Sequence, residues 1–315
     1  MNCGASCALA GVISSPLEMK KIVNEYCLIS IIFIANGFIG IGNLSGGRYA
    51  GAMNDAVGLF VITGGLLMPA LLWACLFHVK SARIAAGIAF LLVTLLCVLS
   101  GQRTGFFAGI IGCIPLIFQV NGKFLIRGLI VFSAVITFCI FAIQLFPQQT
   151  DFITKRYFDI NRNRNISIRV DTTGRSLLWK RAFDKTMEKP ILGHGAAADR
   201  ISEIKGFHNA YLQEWYNGGI FGPALFFGAS VLALFKTFRL SQSKTLDDEA
   251  QQISRLLFSW MIVLFLTSFF ESKLASPSNI MAFTMVLIGV MTHRLEIYAN
   301  SVALPQPQNR FYLTR

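Results

Sequence analysis

Apolar stretches decide what this chain can fold into. About eight of them approach the roughly 20 residues of helix that a bilayer requires. They run over residues 22–42, 56–77, 84–100, 105–120, 124–146, 215–235, 256–270 and 280–292. Only 14% of the residues are charged and 54% are hydrophobic, whereas a soluble domain carries about 25% charged residues. Lipid is therefore the main solvent, and in lipid a backbone must satisfy its own hydrogen bonds as helix. The sequence predicts an all-α polytopic membrane protein of about eight transmembrane helices, with one large loop between helices 5 and 6. The divisions are 1–146 for the first helices, 147–207 for the loop, 208–294 for the last helices and 295–315 for a polar tail.

The short connections set the orientation, because Lys and Arg are retained on the cytoplasmic side. Lys20, Lys21, Lys80, Arg83, Lys123, Arg127, Lys236, Arg239, Lys244, Arg255 and Arg294 all fall on one side of such a topology. Both ends are expected there, and no cleavable signal peptide is predicted, since the start carries no basic cluster. The seven cysteines lie in the first half of the chain and mostly inside apolar segments. Neither a disulfide framework nor a zinc site is read from them.

The loop at 147–207 is too long for a plain connector. It holds twelve Lys and Arg against seven Asp and Glu, a charge of about +5, on the side where basic residues are usually scarce. Such a loop is either a solvated basic domain or an electrostatic funnel for an anionic, membrane-borne substrate; the second is favoured. Within it, residues 174–188 read as a helix with Arg175, Trp179 and Phe183 on one face. Pro190 stops that helix, and Gly193-His194-Gly195 forms a turn.

Residues 206–222, GFHNAYLQEWYNGGIFG, organise the rest. Placed on one helix, His208, Leu212, Trp215, Gly219 and Gly222 form a stripe within roughly 80° of arc. The expectation is a titratable ring at the head of a helix-packing motif comprising Asn209, Gly219 and Gly222. His208 is the best general base, since neutral imidazole takes a proton at physiological pH. His194 is a second candidate and reads better as a turn residue. Trp179, Trp215 and Tyr216 read as an interface belt rather than as sugar-stacking rings.

Arg103, in Ser100-Gly101-Gln102-Arg103, sits at the outer end of two apolar helices. It either snorkels or contacts an anion. A guanidinium suits a diphosphate because its planar fork donates in pairs and stays charged. Arg169 and Arg175 add two more near the loop helix, and Arg48 is a weaker candidate on the same face. No metal site is expected, because the four histidines are spread over both faces and no aspartates cluster. No cofactor is expected either. A base, several arginines and no metal suggest that an acceptor hydroxyl is deprotonated while a diphosphate leaves. A transporter of lipid-linked sugars would also present arginines to a diphosphate. It should, however, place charges within its helices, and few are found there.

The motif His208-Asn209, nine residues, then Gly219-Ile220-Phe221-Gly222 resembles the signature of the bacterial O-antigen ligase and polymerase superfamily. Gly174-Arg175-Ser176-Leu177-Leu178-Trp179 followed by Pro190-Ile191-Leu192-Gly193-His194-Gly195 is similar to its loop pattern. Ser100–Arg103 resembles its Ser-Arg motif, and Arg48-Tyr49-Ala50-Gly51-Ala52-Met53-Asn54 its Gly…Asn segment. The resemblance implies a glycosyltransferase of the bacterial inner membrane with its large loop in the periplasm. It implies a donor glycan on undecaprenyl diphosphate and no metal. His208 would activate the acceptor hydroxyl; Arg103, Arg169 and Arg175 would hold the diphosphate. The partners so implied are that donor, a glycan or lipid A–core acceptor and the bilayer, with no nucleic acid. The His-Asn-Ala-Tyr-Leu text is closer to the polymerase branch. Family members have about ten to twelve helices, and the shortfall here lies before Arg48.

Overall fold

The computed structural model describes residues 15–39, 44–45, 48–49, 64–99, 103–118, 133, 175–202, 207–271 and 280–303. Nine α-helices are found among them: α1 Pro16–Ile39, α2 Gly65–Phe77, α3 Lys80–Leu99, α4 Arg103–Phe118, α5 Arg175–Thr186, α6 Ala210–Gly218, α7 Phe221–Ser241, α8 Asp248–Ser268 and α9 Ile280–Ala303. Two short strands, β1 Leu44–Ser45 and β2 Arg48–Tyr49, pair antiparallel with Ser45 opposite Arg48. Among the described residues, Lys80–Val98, Phe221–Ser241 and Asp248–Ser268 are long and apolar enough to cross a membrane; Gly65–Phe77 and Thr104–Phe118 are shorter apolar helices. The expected span at 124–146 and most of the loop before Arg175 lie outside the described residues.

The bundle is built around α8. It packs against α1, α2, α4, α7 and α9, and Ile253, Leu256, Trp260, Val263 and Leu264 on it are fully buried. Its start is chemically marked: the Asp247 side chain accepts the Ala250 N–H at 2.8 Å, and Asp248 and Glu249 lie in the first turn, where the helix dipole favours negative charge. Two indoles tie α8 to α2 and its surroundings. Trp260 donates to the Leu66 carbonyl at 2.9 Å, and Trp73 to the Gln252 carbonyl at 3.1 Å. Small residues on α4 permit close approach: a Cβ on Gly112 would lie 2.4 Å from Val263 Cγ2. The opposite face of α7 is apolar and outward, with Leu225, Leu232 and Phe235 exposed.

Helix α1 starts earlier than the apolar run at 22 suggests. Ser15 and Glu18 form a reciprocal capping box, with Ser15 N–H on Glu18 Oε2 at 3.1 Å and Glu18 N–H on Ser15 Oγ at 3.3 Å, and Pro16 occupies the first helical position. Several basic residues assigned to one side meet carboxylates at one end of the bundle. Lys20 reaches Glu249 at 2.6 Å and Lys236 reaches Glu296 at 3.2 Å. Helix α8 runs from that end for about 30 Å, at roughly 1.5 Å per residue, and delivers Phe269 and Glu271 to the other.

Candidate functional site

Residues 208–222 do not form one helix. Helix α6 begins at Ala210 and ends at Gly218, and α7 starts afresh at Phe221. The single stripe from His208 to Gly222, and the span at 215–235, are therefore corrected to a short helix, a turn and a separate membrane-length helix. The reason is local. Asn209 takes an extended backbone at the N-cap, His208 before it has φ +47°, and Gly219 after the helix has φ +62°. A left-handed residue at each end cannot continue a right-handed helix.

Each conspicuous motif residue then has a structural job. Asn209 Oδ1 accepts the Leu212 N–H at 2.9 Å, satisfying a donor that the helix start leaves open. Asn209 Nδ2 donates to the Phe269 carbonyl at 3.1 Å, just past the end of α8. The Tyr211 ring packs on Phe269 at 4.8 Å between centroids. The other end of α6 is capped by the turn after Pro190. His194 N–H donates to the Tyr216 carbonyl at 2.8 Å, and Gly195 N–H to the Asn217 carbonyl at 3.0 Å. This turn approaches so closely that a Cβ on Gly219 would lie 1.9 Å from the Ile191 carbonyl oxygen. Gly222 has its own close approach, where a Cβ would lie 2.2 Å from the Glu214 carbonyl oxygen. Gly219 and Gly222 thus shape a turn and its packing rather than a helix stripe.

Loop helix α5 closes over this unit. Trp179 Nε1 donates to the Phe207 carbonyl at 3.0 Å, which fixes the residue before His208. Trp215 Nε1 donates to the Pro190 carbonyl at 3.0 Å, and Phe183 meets Trp215 edge-on. His194 stacks on Tyr216 at 4.2 Å and is a turn residue. Ala182, Ala198, Phe207 and Tyr216 form a small buried core of their own. Trp179 and Trp215 are thereby clasps between loop and helix. Asp199 adds a polar clasp: its carboxylate accepts from Asn217 Nδ2 at 2.8 Å and Gln213 Nε2 at 2.9 Å. Burial, and then the charge of Asp199, pushes the neighbouring Glu214 carboxyl above its usual range.

His208 stands at the centre. Its side chain is 41% exposed, and its Nδ1 lies 3.5 Å from Glu271 Oε2, on a side chain only 2% exposed. Among the described residues its Nε2 makes no hydrogen bond. Glu271 went unread at the level of sequence, although a signal existed: it is the sole carboxylate between Glu249 and Glu296, and a charge at the end of an apolar helix is costly unless paired. Arg103 and Arg175 are each the first residue of a helix, α4 and α5. Arg48 lies on β2, and Arg169 lies outside the described residues. No group of three or more His, Cys, Asp or Glu is placed to hold a metal ion among the described residues.

Residues 88–227 match the family model described as O-antigen ligase. Over this stretch the chain is similar to the O-antigen ligase family. Members of that family are glycosyltransferases of the O-antigen ligase type, which supports reading the chain as an enzyme. The matched stretch runs from within α3 through the start of α7 and includes Arg103, Arg169, Arg175, His208, Asn209, Gly219 and Gly222. Arg48 and Glu271 fall outside it. No curated protein matches the chain significantly.

Gly219→Ala is expected to unseat the turn at 190–195, since both φ and the Ile191 carbonyl oppose a side chain. Limited proteolysis should cut the variant faster between Glu188 and Gly206 than the wild type; equal rates would contradict the interlock. Glu214 also has a stability consequence. Its pKa is raised in the folded state, so the folded protein binds more protons and stability falls as pH rises through that window. Glu214→Gln should raise the melting temperature at neutral pH, with the gain shrinking as pH falls through the raised folded pKa and vanishing below about 4.5, the ordinary value. A pH-independent difference would contradict the assignment.

Proposed function

We propose that this protein moves a glycan from undecaprenyl diphosphate to a sugar hydroxyl at the periplasmic face of the bacterial inner membrane. The loop and the cap at His208 form the catalytic part, and the apolar helices at 1–146 and 208–294 hold the lipid donor. The observation that carries this reading is His208 itself. It is half-exposed, held on a left-handed backbone by flanking clasps, and set beside a buried carboxylate.

In the proposed step, His208 takes the proton of the acceptor hydroxyl. The hydroxyl oxygen bonds to the anomeric carbon of the donor sugar. The bond from that carbon to the diphosphate breaks, and undecaprenyl diphosphate leaves with the electron pair. Arg103, Arg175, Arg169 and Arg48 would draw in the diphosphate and stabilise its developing charge, which fixed guanidinium groups do with little reorganisation. The step needs no metal. The acceptor is either a second lipid-linked glycan, as in a polymerase, or lipid A–core, as in a ligase. The His-Asn-Ala-Tyr-Leu text favours the first, and the description of the matched family favours the second.

The test uses purified protein in nanodiscs with undecaprenyl diphosphate-linked repeat units, with and without lipid A–core, and products separated on a gel. A ladder without lipid A–core identifies a polymerase; product only with lipid A–core identifies a ligase. His208→Ala should abolish product while leaving protein level intact, and normal product would sink the base assignment. No product from the wild type in either tube would favour a transporter of the same lipid-linked glycans. Arg175→Lys should fall by at least about tenfold, because lysine keeps the charge and loses the paired donors. Full activity there would mean that the charge only steers the donor.

A further inference from the structure

A carboxylate at 2% exposure, at the end of an apolar helix, is expensive unless a partner compensates it. Glu271 is placed by two independent constraints. Its own N–H donates to the Thr267 carbonyl at 2.8 Å, so it continues the last turn of α8. Two residues earlier, the Phe269 carbonyl receives Asn209 Nδ2, and Asn209 is the neighbour of His208. One hydrogen bond therefore sets the register that brings His208 Nδ1 to 3.5 Å from Glu271 Oε2.

We propose that Glu271 is the positioning residue of His208, accepting a hydrogen bond from its Nδ1–H so that Nε2 faces the acceptor hydroxyl. The inference rests on the reading of His208 as the base. An imidazole has two tautomers, and only the one protonated at Nδ1 offers a basic Nε2. A buried carboxylate on Nδ1 selects that tautomer and the ring orientation. It also stabilises the imidazolium that forms when the hydroxyl proton moves to Nε2, and it is not itself protonated. The 3.5 Å separation is ion-pair range and longer than a formed hydrogen bond; catalytic contacts of this kind tighten once substrate is bound. The partial exposure of His208 leaves its ring open to an acceptor.

The experiment is steady-state transfer by the full chain in nanodiscs. It compares wild type, Glu271→Gln, Glu271→Asp, His208→Ala and the His208→Ala/Glu271→Gln pair, each with its melting temperature. Glu271→Gln should lower kcat by about 100-fold or more, since an amide cannot hold the same tautomer with the same charge. Its KM should stay within about twofold and its melting temperature near that of the wild type. Glu271→Asp should lie between the two, because it keeps the charge with a shorter reach. The double variant should be no slower than His208→Ala, as groups acting as one unit are not additive. Three outcomes would overturn the inference alone: kcat of Glu271→Gln within about threefold of wild type while His208→Ala is inactive, no recovery in Glu271→Asp over Glu271→Gln, or a loss confined to KM. Full turnover by His208→Ala would instead overturn the base reading, and this inference with it.

Discussion

One side chain holds the site together. Asn209 accepts from the N-terminus of α6 and donates to the C-terminal end of α8, so a short helix outside the bundle is locked in register with the central helix of the bundle. Asparagine suits this because its amide both accepts and donates. Aspartate could cap the helix but could not donate to the Phe269 carbonyl. His208 on one side of that bridge and Glu271 on the other are brought together by it.

The rest of the cap follows from satisfying the backbone of a nine-residue helix. A helix this short is marginal alone and leaves several polar groups open at each end. Here Asn209 serves the first end, and the N–H groups of His194 and Gly195 serve the last. The spacing between Asn209 and Gly219 is the length of α6. The glycines are needed where the capping turn crosses, because the Ile191 and Glu214 carbonyls occupy the space of a side chain. Trp179 and Trp215 then donate their indole N–H groups to the Phe207 and Pro190 carbonyls, both in the chain leading into the motif. Loop helix and motif are thus one folding unit, with Phe207 and Tyr216 in its core.

Much of the bundle was legible because burial in lipid selects unbroken apolar runs, and such runs at 84–100 and 256–270 coincide over most of their length with α3 and α8. The loop helix was legible for a different reason: Pro190 and the Gly193 turn fix where it stops. The reading failed at 208–222, where helical periodicity continued across two breaks. Period cannot report that His208 and Gly219 take positive φ, though the Asn209 cap and the Gly218-Gly219 pair are signals of a start and a stop. Glu271 was missed because its meaning is tertiary. It is 63 positions from His208, and only the Asn209 bridge relates the two. Arg103 and Arg175 were singled out by chemistry, and the structure adds that each opens a helix, where the dipole favours a nearby anion.

The most direct test of the account is a cryo-electron microscopy structure of the protein in nanodiscs with undecaprenyl diphosphate bound. The expected density places the diphosphate at the His208 end of α8, against the Arg103 and Arg175 guanidinium groups, with the His208 ring facing it and Glu271 behind. A diphosphate seated at the opposite end of the bundle, beside Lys20 and Lys236, would contradict it.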